Sequence, residues 1–185
     1  MGWYDVPRPI VPDLIAQHGR NQAGKPALLA GQRRLSWAEF DAATNQVANG
    51  LARLGLGPGD RVAVLMANGV EMALTLFGAG KAGVSVVPLN TSVTDAAVGA
   101  MVRDSGAAAV FATGEHCRRI DALAAASELP AVRRRIGADV PAAVGASETS
   151  GAAAGWIDFE TWLRDQSVGA PGIAVGPETE CNIIY

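Results

Sequence analysis

Apolar residues recur at steps of three and four from Phe40 through Ala43, Val47 and Leu51 to Leu54. That spacing draws one stripe along a helix. Ser36 and Glu39 stand ahead of it at capping-box spacing, so the hydroxyl and the carboxylate satisfy backbone amides reciprocally. Gly55 follows where a left-handed residue ends a helix, and Gly57-Pro58-Gly59-Asp60 reads as a turn. Val62–Met66 is then an unbroken apolar run, the pattern of a strand covered on both faces. From there the two patterns alternate. Val70, Ala73, Leu74 and Phe77 predict a helix to about Ala82, with Asn68 as its cap and Glu71 three residues later. Val84–Val87 is a strand closed by Pro88. Thr94 caps a helix with Ala97, Val98, Met101 and Val102 inward and Gly106 as its stop. Ala109–Ala112 reads as strand, Glu115–Ala126 as helix and Val132–Ile136 as strand. Strict alternation predicts an α/β fold, a mostly parallel sheet with helices on both faces and right-handed crossovers.

The flanks are less regular. Residues 1–12 carry three prolines and predict an extended arm. Asp13–Gln22 is a short helix with Leu14, Ile15 and His18 to one side. PALLAG, 26–31, is a short strand onto which QRRLS pairs back. Residues 13–136 thus form the α/β core. Residues 137–157 are nearly all Gly, Ala, Val, Ser and Pro, with only Asp139 and Glu148 charged, and read as a loop. Residues 158–185 start with a helix capped by Asp158, where Ile157 and Trp162 stand at hydrophobic-staple spacing. A Gly/Pro-rich connector leads to the strand-like run Cys181–Tyr185. A core strand needs neighbours for its backbone and side chains, so the domain is expected to continue past Tyr185.

Composition narrows the function classes. The 185 residues suit one domain or one and a fraction, and a 49% apolar share builds a core. Aromatics make up 5%, so Ala, Val and Leu must fill it. A net charge of -3 lacks the basic surplus of a nucleic-acid binder. Arg118-Arg119 and Arg133-Arg134-Arg135 are read as solvated faces or a strand edge. Cys117 and Cys181 form no disulfide framework and no metal spacing, which fits a reducing cytoplasm. His116 beside Cys117 resembles a dyad only on paper, because adjacent side chains on a helix diverge. Glu71 and Lys81 interrupt the most apolar region, and no charge-free run reaches the ~18 residues of a membrane span. The N-terminus lacks the pattern of a signal peptide, and Val6 stands where a myristoylation motif has Ser or Thr. No catalytic or metal-ligating residue is assigned.

The stretch GAGKAG, Gly78–Gly83, fits the letters of a dinucleotide loop. Such a loop binds phosphate because a strand enters it and a helix leaves it, which presents free amides at a helix N-terminus. Here a helix enters and a strand leaves. The phosphate-loop pattern fails as well, with Thr75 in place of its first glycine and Ala82 in place of Ser or Thr. The reading is structural: Gly78 and Gly80 allow a close helix approach, Gly83 caps the helix, and Lys81 favours its C-terminal end.

Three stretches carry a resemblance. Leu35–Phe40, LSWAEF, is similar to the L-[ST]-Y-x-E-L of the amino-terminal region of AMP-forming acyl-CoA synthetases. Lys81–Asn90, KAGVSVVPLN, is similar to K-A-G-x-x-x-V-P-L-[ND] of the same superfamily, and PGDRVA, Pro58–Ala63, is typical of it. The likeness runs from about Val11 to Phe111 and resumes at Glu180–Tyr185. It implies an incomplete piece of the adenylate-forming amino-terminal domain. It implies a two-step carboxylic acid–CoA ligation: a carboxylate attacks the α-phosphate of ATP, and coenzyme A then displaces AMP. ATP, Mg²⁺ and CoA are the implied cofactors of the full-length enzyme, with none expected on this piece, which should be inactive alone. Tyr185 would adjoin the family's phosphate loop, which is absent from the sequence, as are the later catalytic motifs. Many such ligases carry an arginine two residues after the P-L-N asparagine to meet the CoA nucleotide; Ser92 stands there instead. A carrier-protein acceptor in place of CoA stays open, as does the acid. Two other classes are an NAD(P)-binding Rossmann oxidoreductase domain and a non-catalytic α/β interaction module. Exposed sheet surface makes homo-oligomers possible.

Overall fold

The computed structural model describes residues 9–141 and 155–185. Most of the 137–157 loop expectation and residues 1–8 of the arm lie outside them. The chain opens with α1 (Val11–Asn21), which starts inside the expected arm. Pro12 does not prevent this, because the first helical turn has no use for its missing N–H. The hairpin β1 (Pro26–Ala30) and β2 (Arg33–Ser36) forms a two-stranded antiparallel sheet of its own. Next comes α2 (Trp37–Arg53) with the expected capping box: Ser36 Oγ accepts from Glu39 N, and Glu39 Oε2 accepts from Ser36 N at 2.8 Å. Ser36 Oγ also donates to Glu39 Oε2 at 2.8 Å, and the bonds from the Ser36 amide and hydroxyl hold the Glu39 carboxyl below the usual glutamate range.

The main sheet has five parallel strands in the order β4-β3-β5-β6-β7. These are β3 (Arg61–Leu65), β4 (Ser85–Pro88), β5 (Ala109–Thr113), β6 (Arg134–Ala138) and β7 (Trp156–Asp158). Val62 pairs with Val86 on one side and Ala109 on the other, and Ile136 pairs with Ile157. Crossovers run through α3 (Val70–Lys81), α4 (Asp95–Ser105) and α5 (His116–Ala125), and α6 (Phe159–Arg164) follows β7. Period-two side chains divide the core. Val62, Val64, Phe111 and Ile136 pack with α2, α3 and α6, whereas Ala63, Leu65, Val110 and Ala112 pack with α4 and α5.

Five expectations are corrected. The N-cap of α3 is Gly69, with no side-chain cap, so Asn68 lies one residue too early. β6 starts two residues later than expected and runs to Ala138, and the strand Trp156–Asp158 takes in the last two residues of the expected loop. The reason is burial: Ile136 and Trp156 are almost completely covered, and tertiary contacts override a Gly/Ala-rich local composition. Cys181–Tyr185 is not a full strand. Only Asn182 bridges Val86 in parallel, through Val86 N to Cys181 O at 3.1 Å and Ile183 N to Val86 O at 2.9 Å. Finally, Gly80 approaches nothing, and the close contact belongs to Gly78 alone.

Gly78 sits on α2: a Cβ there would overlap Val47 and come within 2.9 Å of Thr44 O. Gly78→Ala is expected to destabilise by about 1–3 kcal/mol through overpacking. Gly80→Ala, two residues on in open space, should stabilise by roughly 0.5–1 kcal/mol through helix propensity. Urea unfolding of the two variants checks the opposite signs. Ser36→Ala should cost about 1 kcal/mol at neutral pH. The Glu39 part of that capping is fully present above the ordinary glutamate value and lost as pH falls through the lowered one, so the cost should shrink in acid.

Candidate functional site: the carboxyl edge of the sheet

In an open parallel sheet, ligands sit outside the carboxyl ends of the strands, at the point where chain order reverses. Here that point lies between β3 and β5, because α3 leaves β3 toward one face while α5 leaves β5 toward the other. Its two sides are tied together: Ala67 N donates to Thr113 Oγ1 at 2.8 Å. Beside it, the loop after β4 is fixed in place. Ser92 N donates to Asn90 Oδ1 at 2.8 Å, and Arg119 on α5 donates to Thr91 O at 2.7 Å, Val93 O at 2.5 Å and Asp95 Oδ1 at 2.6 Å. An open cleft of about 1080 Å³ lies over the same edge on the α3 face. Leu28, Met72 and Phe77 line its apolar side, and Asn68, Asp139 and Glu160 its polar side.

The glycine run lies where the direction of the chain required. Gly78–Lys81 is the last turn of α3, and β4 begins at Ser85. Gly83 has φ +68, and Val84 N bonds Ala79 O at 3.0 Å while Gly83 N bonds Gly80 O at 3.2 Å. This is a Schellman termination. The amides are consumed within the helix and its end, and no phosphate cradle exists there. Among the described residues, no three His, Cys, Asp or Glu side chains could hold a metal ion.

The other singled-out residues scatter. Ser92 is exposed in its loop. Tyr185 is 54% exposed, and its hydroxyl donates to Asp104 Oδ2 at 2.6 Å, which raises the phenol's pKa. His116 and Cys117 make no pair: Cys117 is buried, burial pushes its thiol up to about 12, and His116 Nδ1 has no partner among the described residues. Arg118, Arg133 and Arg134 are exposed, but Arg119 and Arg135 are not the solvated charges expected. Arg135 donates to Asp121 Oδ1 at 2.5 Å, and Trp156 Nε1 donates to the same oxygen at 2.9 Å. Their carbonyl and carboxylate partners are distant in sequence, so only the i,i+3 and i,i+4 charge rules were available to find them, and those do not apply.

The comparisons decide the family. A model of the AMP-binding enzyme family matches residues 15–185. The chain belongs to that family. It is similar to the long-chain-fatty-acid–CoA ligase FadD13 of Mycobacterium tuberculosis, at 38% identity over 107 residues, which cover 57% of this chain and 21% of the ligase. It is also similar to feruloyl-CoA synthase of an Amycolatopsis species, at 39% over 99 residues, 54% of this chain and 20% of that one. The crystal structure of the inhibitor-bound N-terminal domain of FACL13 from Mycobacterium tuberculosis superposes with a TM-score of 0.77 at 26% identity, over 93% of this chain and 39% of that one. The chain thus spans about a fifth of the length of these curated relatives. Its architecture is that of the amino-terminal domain of adenylate-forming enzymes.

Within this family member, the two cysteines should differ sharply in reactivity. At pH 8, a thiol near 12 is ionised in only about one molecule in ten thousand. Maleimide labelling of the native protein is expected to modify the exposed Cys181 and stop at one equivalent, with Cys117 reacting only after unfolding. Mass spectrometry of peptides locates the label.

Proposed function

We propose that this chain is the amino-terminal portion of an AMP-forming carboxylic acid–CoA ligase and supplies its scaffold. The observation that carries this reading is the 38% identity to a CoA ligase over 107 residues within a family match spanning 15–185. ATP and Mg²⁺ would drive activation of the carboxylate, with coenzyme A as acceptor. The described residues contribute the sheet edge and its fixed loops, and no step of the chemistry falls to them. Tyr185, at the end of the strand-like segment docked on β4, would adjoin the phosphate-binding loop. The domain boundaries proposed for the chain are an arm at 1–12, a core at 13–136, a connector at 137–157 and a closing unit at 158–185. A cytoplasmic site of action suits a CoA-dependent reaction, and no helix among the described residues is long and apolar enough to cross a membrane. The oxidoreductase reading loses its support, since the glycines end a helix.

Calorimetric titration tests this. The chain is expected to show no saturable heat with ATP·Mg²⁺ or NAD⁺. The product of the complete gene, given ATP, CoA and a panel of acids, should release AMP and form a thioester. Saturable NAD⁺ binding to this chain, or a complete gene product without CoA-dependent AMP release, defeats the assignment.

Self-association is expected as well. β7 is the last strand of its sheet among the described residues, and Leu29, Phe77 and Ile184 are exposed at 62%, 39% and 68%. Unpaired edges and exposed apolar surface favour association. Light scattering should show mass rising with concentration, and a clean monomer at high concentration would count against it.

A further inference from the structure

Lys81 lies in the helix interface as a buried cation that no part of the proposed function uses. The sequence pattern places it only near a helix end. The structure buries it to 5% exposure against α2. Its ammonium donates to Asp41 Oδ1 at 2.6 Å, Asn45 Oδ1 at 2.7 Å and Asp41 O at 3.1 Å. Asp41 and Asn45 are one helical turn apart. Asn45 donates in turn to Val168 O at 2.9 Å, so the cluster also touches the segment after α6.

The surroundings explain why such a group is informative. The rest of the α2–α3 contact is built from small or apolar residues, with Thr44, Val47 and Ala48 on one helix and Gly78, Ala79 and the following Ala82 on the other. Apart from the Val47–Gly78 notch and the Phe40–Phe77 edge contact, surfaces of this kind discriminate poorly between neighbouring registers. A slip of α3 by one turn moves Lys81 about 5.4 Å along the axis. Leu74 or Ala82 would then press on Val47 where Gly78 now lies, an overpacking cost. The ammonium would be left buried without its three oxygens, the most costly outcome available to that interface. The Arg33–Glu71 ion pair at the other end of α3 is half exposed and too weak to do the same.

We propose that the Lys81–Asp41–Asn45 cluster is a register pin, selecting one packing of α3 on α2 rather than adding net stability. Burial lowers the Lys81 pKa in spite of the Asp41 carboxylate. Taking a cation out of water offsets much of what its bonds contribute, so a buried pair can select a packing without adding stability. The inference stands on the interface alone and is independent of the ligase reading.

Four variants of the whole chain test it. Asp41→Ala leaves the cation unpaired and should lower Tm by roughly 10 °C. The apolar triple variant Asp41→Leu/Asn45→Leu/Lys81→Met should keep Tm within roughly 5 °C of the parent or raise it. It should nevertheless lose unique packing: near-UV circular dichroism weakens and methyl resonances from Val47 and Leu74 split into more than one set. Val47→Ala removes the knob that fills the Gly78 notch but keeps the pin; Tm should fall while each methyl keeps one resonance. Gly80→Ala is the control: Tm should rise slightly through helix propensity, and each methyl should keep one resonance. A triple variant with a single sharp set of resonances overturns the proposal, because the cluster then selects nothing. A triple variant whose Tm collapses overturns it too, since the cluster is then a stability element. Split resonances in Val47→Ala would likewise refute it, by showing that any weakening of the interface suffices.

Discussion

β3 is hydrogen-bonded on both edges and covered on both faces, and the remaining elements answer to that requirement. Val62, Ala63, Val64 and Leu65 have no exposed surface at all. A strand so placed presents alternate side chains to two separate cores. Helices must then cover both faces, and parallel neighbours require a crossover of a dozen residues or more between strands. Each crossover supplies one of those helices. α3 carries the chain from β3 to β4 on one face, and α4 and α5 carry it to β5 and β6 on the other. Scarce aromatics decide how closely the layers approach. With few large side chains to fill space, helices come together through notches: Val47 occupies the one at Gly78, and the Trp162 indole lies against Gly50. Three of the few aromatic rings, Phe111, Phe159 and Trp162, meet edge to face or tilted where α6 closes the sheet.

What could be read from the sequence follows from the range of the interactions. The Ser36–Glu39 box, the Thr94 and Asp158 caps and the Gly106 stop are local, spanning three or four residues, and all stand where the pattern put them. The alternation of 3.6 and 2 periods gave the layer order for the same reason. Asn68 misses the cap of α3 by one residue, and the larger failures begin where a partner is far along the chain. β7 is three residues long inside a Gly/Ala-rich context, and only its pairing with Arg135–Gly137 and the burial of Trp156 make it a strand. Lys81 reads as an ordinary helix-end cation until Asp41, forty residues earlier, is folded against it. Arg119 reads as a surface charge until three acceptors of the 91–95 loop surround it. Long-range ion pairs leave no periodic trace.

The stretches that carry the family likeness have mechanical roles in this fold. LSWAEF closes the β1–β2 hairpin and caps α2. PGDRVA turns the chain into β3, with Gly57 N held by Asp60 Oδ2 at 2.9 Å. KAGVSVVPLN ends α3, crosses β4 and enters the loop that Arg119 holds. A helix stop, a tight turn and a buried cation each admit few residue types, so these segments are legible as a family resemblance while saying nothing about a ligand. Recognition of the family and recognition of the site therefore rest on different residues.

The geometry of the carboxyl edge carries this one step further. The bond from Ala67 to Thr113 closes the gap where the strand order reverses, and Arg119 ties the loop after β4 to α5 across the same edge. Fixing loops by side chains from neighbouring elements costs their conformational freedom at folding rather than at binding. An edge prepared in this way serves as a rigid floor against which other segments can be positioned. The docking of Cys181–Ile183 lies instead where β3 and β4 begin, made by the two backbone bonds to Val86 and by Glu180, whose carbonyl accepts from Ser85 Oγ at 2.9 Å and whose carboxylate meets Arg61 Nε at 3.1 Å. The Tyr185 hydroxyl meets Asp104 in the last turn of α4, while the cleft opens at the carboxyl edge. Any chemistry assembled there would draw its direction from the sheet and its reactive groups from elsewhere.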